Sequence, residues 1–118
     1  MTPEQSFILS LLSPMKTFPM VIPGHLRARI DRYRILRAQT EDLSLSDIVR
    51  QALTLFAYAR PDNWPTAEMD GQGKAVNVKL PSVVIEHVEG LAGFYNETKS
   101  DIARAAIVWF LDQVEAEQ

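Results

Sequence analysis

The chain has no cysteine. That excludes a disulfide framework and any thiolate metal site. It has only two histidines, His25 and His87, far apart and without the spacing of a zinc ligand pair. No apolar run approaches the roughly 20 residues that a membrane span requires. The first residues, MTPEQSFILSLLSPM, place no Lys or Arg ahead of their short apolar centre, unlike a signal peptide. A cytoplasmic location is therefore the expectation. There is also no nucleophile–base constellation and no Gly-rich phosphate loop. The chain reads as a non-enzyme, with no catalytic residue, metal or cofactor expected.

What is present is a repeat. Residues 46–52 read SDIVRQA and residues 100–106 read SDIARAA. Charge separates the two halves around these words. Residues 1–60 carry 8 Lys and Arg against 5 Asp and Glu, whereas residues 61–118 carry 4 against 10. The net charge of −3 is unlike the basic balance common in nucleic-acid binders. The positive charge is nonetheless concentrated, with Arg27, Arg29, Arg32, Arg34 and Arg37 close together. These arginines fit a solvated helix face, with Asp31 pairing to Arg27 or Arg34, or alternatively a phosphate-contacting patch.

Periodicity supplies the elements. Residues 1–15 read as a short amphipathic helix. Thr2, Pro3 and Gln5 suit its start, Phe7, Ile8, Leu11 and Leu12 share one stripe, and Pro14 stops it. That stripe caps the domain's own core, joins two chains or binds a partner protein. KTFPMVIP alternates like a strand, with Phe18, Met20 and Ile22 on one face; Pro19 confines it to an edge. A helix follows with Leu26, Ile30, Tyr33 and Leu36 on its stripe. After a polar break, Ser44 or Ser46 caps a second, largely apolar helix. Residues 61–73, rich in Pro, Gly and polar filler, form a linker with Trp64 as an anchor.

The pattern then restarts. KAVNVKLP alternates Val76, Val78 and Leu80 against Ala75, Asn77 and Lys79. A helix with Val84, Val88 and Leu91 follows, then a break and cap at Asn96 and Thr98, then a final apolar helix. Ile22-Pro23 matches Leu80-Pro81 at an offset of 58 residues, and the SDI words match at 54, so the first copy carries four extra residues near AQTEDL. One such unit cannot bury enough apolar surface to fold alone. Two units solve the problem together. Their strands pair as an antiparallel ribbon, and Ile48 and Ile102 enter one shared core.

Strand, helix, polar break and S-x-S-D-I or T-K-S-D-I resemble the ribbon-helix-helix superfamily, the Arc/MetJ/CopG-type repressors. The resemblance is gap-free over residues 74–111 and holds over 16–58 with one insertion. It implies a mainly α fold with a two-stranded antiparallel β-ribbon. Copy 1 (16–60) and copy 2 (74–118) would form an intrachain pseudo-dimer, as in tandem-repeat regulators of plasmid conjugation. It further implies a small bacterial or plasmid-type transcriptional regulator that inserts the ribbon into the major groove of double-stranded DNA. Base contacts then fall on Asn77 and Lys79, with Ala75, in copy 2, and on Thr17 and Val21 in copy 1. Pro19 departs from the pattern, having no polar handle. Phosphate contacts fall on the amides of Leu45 and Ser46, and of Lys99 and Ser100. Unequal strands imply an asymmetric or half-degenerate site. The alternative is a ribbon-helix-helix module that has lost DNA binding and serves as a protein-interaction module or antitoxin. Pairing of copy 1 with copy 1 of another chain also remains open.

Overall fold

The structure is a computed structural model and describes residues 14–40 and 42–117. The N-terminal helix expected over residues 1–15 lies almost wholly outside the described residues. The protein is mainly helical and contains a two-stranded antiparallel ribbon. In chain order the elements are β1 (Met15–Ile22), α1 (Gly24–Arg37), α2 (Leu45–Ala59), β2 (Lys74–Pro81), α3 (Ser82–Tyr95) and α4 (Lys99–Ala116). The order strand–helix–helix therefore occurs twice.

β1 and β2 pair with each other across the chain, Met15 opposite Pro81 and Ile22 opposite Lys74. The register is symmetrical about one pair, Pro19 opposite Asn77, with Thr17–Lys79 on one side and Val21–Ala75 on the other. Pleating turns Phe18, Met20, Ile22, Val78 and Leu80 inward, each at most 3% exposed. A one-residue slip would expose all five, so the buried face pins the register.

The inner ribbon face, α1 and α3 cover a centre built by α2 and α4, which pack most extensively on each other among the helices. Ile48, Val49, Leu53, Phe56, Ile102, Ile107 and Leu111 are essentially inaccessible there. Each fully buried side chain of this size contributes about 1.5–3 kcal/mol before the entropic cost of ordering it. α1 contributes Leu26, Ile30 and Tyr33, and α3 contributes Val84, Val88 and Ala92. Two stripe assignments shift. Leu36 is 57% exposed, because the last turn of α1 runs past the core. Leu91 is only partly buried, and Ala92 takes the inward position.

Helix starts fall into two kinds. α2 and α4 begin with capping boxes. Ser44 accepts from the Asp47 amide and Asp47 accepts from the Ser44 amide; Thr98 and Asp101 do the same. Ser46 and Ser100 are therefore not the caps. They occupy the second helical position, two residues beyond the true cap. α1 and α3 instead follow a proline, Pro23 or Pro81, with no side chain to cap them. Each borrows an acceptor. The Ser82 amide donates to the Pro14 carbonyl at 2.8 Å. The amides of Gly24 and His25 donate to the Asp70 carboxylate at 3.1 and 2.9 Å.

Asp70 thus ties the segment between α2 and β2 to the start of α1. It also accepts from the Gln72 amide and lies 3.1 Å from His25 Nδ1. These donors hold its carboxyl far below the usual carboxylate range, led by the His25 amide. Two glycines permit the approach. Gly71 turns the chain at φ 75°, and a Cβ on Gly24 would sit 3.0 Å from Gln72 Oε1. Asp70→Ala is expected to accelerate hydrogen exchange at Gly24 and His25 several-fold while leaving Ser82 unchanged. Unaltered exchange at Gly24 would show that the tie contributes nothing.

Candidate nucleic-acid interface

The outer ribbon face consists of three cross-strand pairs. At one end Lys79 Nζ donates to Thr17 Oγ1 at 2.6 Å, so these two candidate base-contacting groups are presented as one polar unit. At the centre lies the exposed Asn77 beside Pro19. Among the described residues the Asn77 side chain has no hydrogen-bond partner, so its full donor and acceptor capacity faces outward. At the other end, Val21 opposes Ala75 and is only partly exposed. Its γ-methyl lies 2.7 Å from where a Cβ on Gly73 would stand, so residue 73 must be small. The two ends are separated by four residues, about 13 Å of strand. One end is polar and cationic, the other apolar.

The helix starts flank this face. Arg50, in the second turn of α2, donates through Nε to the Lys79 carbonyl at 2.9 Å. Arg104, in the second turn of α4, donates through Nη1 to the Val21 carbonyl at 3.1 Å. Lys79 and Val21 occupy corresponding positions of the two strands, as Arg50 and Arg104 do of the two helices. Each helix therefore latches the free edge of one strand, satisfying a carbonyl that the two-stranded ribbon leaves unpaired. Each arginine is held by the acid three residues earlier. Asp47 accepts from Arg50 at 3.1 Å, and Asp101 accepts from Arg104. This accounts for the repeated word. Its Asp completes a capping box and orients an Arg, and the Arg fixes the ribbon.

The same contacts set the electrostatics. Asp47 is held below the ordinary carboxylate range by its Ser44 hydrogen bonds and then by Arg50. Asp101 is held low by Thr98 and then by Arg104. Both acids are spoken for by their own cap and arginine. Beyond them, the amides of Leu45 and Ser46, and of Lys99 and Ser100, take no acceptor among the described residues. These are N–H groups that the first turn of a helix leaves without an intrahelical acceptor. Lys99 is exposed and 3.8 Å from Glu89.

The arginine cluster is less available. Asp31 pairs with both Arg27, at 3.3 Å, and Arg34, at 3.2 Å. Arg34 also donates to the Leu43 carbonyl. Arg29 is clamped by Asp112 and Glu115 of α4, and the Glu115 contact chiefly raises its already high pKa. Arg37 lies over the Tyr33 ring at 5.8 Å. Most of the cluster is a paired helix face. The Arg29 contacts and the two latches join segments more than 28 residues apart, beyond the reach of local pattern. The Asp–Arg spacing of three within each SDI word was their one visible trace.

Among the described residues no group of three His, Cys, Asp or Glu is placed to hold a metal ion, and no helix is long and apolar enough to cross a membrane. Comparison of the chain with protein-family models, with curated proteins and with solved structures yields no match.

Proposed function

We propose that the chain is a sequence-specific DNA-binding protein, a tandem ribbon-helix-helix regulator whose two copies act as an intrachain pseudo-dimer. The ribbon enters the major groove. Asn77 reads adenine or a neighbouring edge, and Lys79, with Thr17, reads guanine acceptors. Val21 and Ala75 contact a thymine methyl. The amides of Leu45 and Ser46 hold one backbone phosphate, and those of Lys99 and Ser100 hold another.

The observation that carries this reading is the pairing of an exposed, unpartnered Asn77 at the centre of a register-symmetrical ribbon with two capped helices latched to its edges. Outward polar groups on the ribbon and free amides at two helix starts are the complement that base edges and the flanking phosphates require. The unequal ends imply a site whose halves differ, one specified by hydrogen bonds and the other by apolar contact.

A second reading has its own support. The neutralised arginines and the net charge of −3 weaken any general attraction to DNA. They favour a module that keeps the fold for a protein partner, as an antitoxin or adaptor. Amide shift mapping with a short duplex at low salt separates the two. Shifts concentrated at Thr17, Asn77, Lys79, Leu45, Ser46, Lys99 and Ser100 are expected. Shifts absent there, or spread over Arg32 and Arg37 alone, would contradict the ribbon reading.

A further inference from the structure

The two halves differ at one seam. In the first half α1 packs on α4, and Arg29 closes the join. Its guanidinium donates to Asp112 at 2.9 Å and to the two Glu115 oxygens at 3.2 and 2.9 Å. Beneath it Tyr33 lies edge-on to Phe110, with centroids 5.6 Å apart. The repeat offsets map this seam onto α3 and α2. There Arg29 becomes His87, Tyr33 becomes Leu91, and Phe110 becomes Phe56. Asp112 and Glu115 become Tyr58 and Pro61. Both the cation and its acids are replaced, and the seam stays open as a cleft of about 370 Å³.

The cleft has an organised lining. Phe56 and Trp64 meet edge-on at 5.4 Å, and Trp64 and Tyr95 at 5.0 Å, giving one aromatic wall. Leu91 extends it. His87 Nε2 is buried and has no hydrogen-bond partner among the described residues. Burial, and then the charge of Arg60, lowers the His87 pKa from its ordinary value. Arg60 stands at the rim, where α2 ends in a left-handed residue at φ 46°. Among the described residues its guanidinium has no acceptor. Asp62 shares the rim without pairing to it.

We propose that this cleft binds a small monoanionic aromatic acid. The carboxylate pairs with Arg60, the ring packs against Trp64 and Tyr95, and the His87 ring lines the cleft beside it. Arg60 suits a planar carboxylate, and the aromatic wall suits a planar ring. Asp62 disfavours a second negative charge. The volume lies at the small end of ligand pockets, which fits one or two rings. The site stands at the far end of α2 from its capped start, and its test involves no DNA, so its failure and that of the DNA-binding reading are distinguishable.

The test titrates the full chain with 4-hydroxybenzoate, with benzyl alcohol and cyclohexanecarboxylate as controls, following amide and indole N–H shifts. Saturable shifts at the Trp64 indole, His87 and Arg60 are expected, with Trp109 little affected. Both controls, Arg60→Gln and Trp64→Leu are each expected to weaken binding about tenfold or more. Arg60 is exposed, so its variant retains the fold and keeps the test interpretable. Absence of saturation, shifts scattered over the surface, or undiminished affinity in Arg60→Gln would each overturn the proposal.

Discussion

Arg104→Ala is expected to destabilise the protein by about 3 kcal/mol, whereas the corresponding change, Arg50→Ala, is expected to cost about 1 kcal/mol. The two arginines perform the same task with unequal burial. The Arg104 side chain is 8% exposed and that of Arg50 is 33% exposed. Truncating Arg104 strips a buried aliphatic stem, worth about 0.8 kcal/mol per methylene, and leaves the Val21 carbonyl without its charged donor. Truncating Arg50 removes a stem that water already reaches, and water can replace the donor to Lys79.

A third variant divides the Arg104 loss into its parts. Arg104→Met keeps an unbranched stem and removes the charge. It also removes the buried Nε, which has no hydrogen-bond partner among the described residues. Its cost is expected to fall to about 2 kcal/mol, since the stem's packing is kept while the Val21 carbonyl still loses its donor. Urea unfolding followed by circular dichroism measures all three. Equal costs for Arg104→Ala and Arg50→Ala would mean that burial does not govern the latch. An Arg104→Met cost as large as that of alanine would mean that the ion pair, not the stem, carries it.

The second large effect concerns recognition. Lys79→Ala is expected to relax specificity in one half of the DNA site by about 1–3 kcal/mol, the range for a good contact to a base edge. Val21→Ala in the corresponding position is expected to alter the other half by less, because a methyl contact supplies little discrimination and Val21 is already partly covered. Lys79 carries a second consequence. Its ammonium is held by Thr17, so Thr17→Ala frees it and is expected to change the same half-site. Competition binding with single-base substitutions reads these effects. Uniform weakening at every position would make Lys79 a phosphate contact instead.

Much of this architecture was legible locally. Phe18, Met20 and Ile22, and later Val78 and Leu80, recur at every second position, and that period fixes a strand with one buried face. Ile48 and Ile102 follow the caps at the spacing that points them inward. The capping boxes were half visible. Ser44 and Thr98 were candidates, but so was Ser46, and only the hydrogen bonds to Asp47 and Asp101 decide between them. What local pattern could not carry was contact between distant segments. Nothing around Asp70 announces that it caps a helix 45 residues earlier. Nothing around Arg29 announces that α4 will neutralise it. On the candidate face, the outward placement of Thr17, Asn77 and Lys79 follows from alternation, whereas the Thr17–Lys79 bond depends on the register.

The most direct measurement is selection from a random-sequence duplex pool at two salt concentrations, comparing the natural chain with Asn77→Ala/Lys79→Ala. Both residues are exposed on the ribbon, so the double variant retains the fold. Enrichment of a short site with dissimilar halves is expected, weakened by salt and lost in the variant. No retained duplex even at low salt, or the same site enriched by both proteins, would contradict a ribbon that reads DNA.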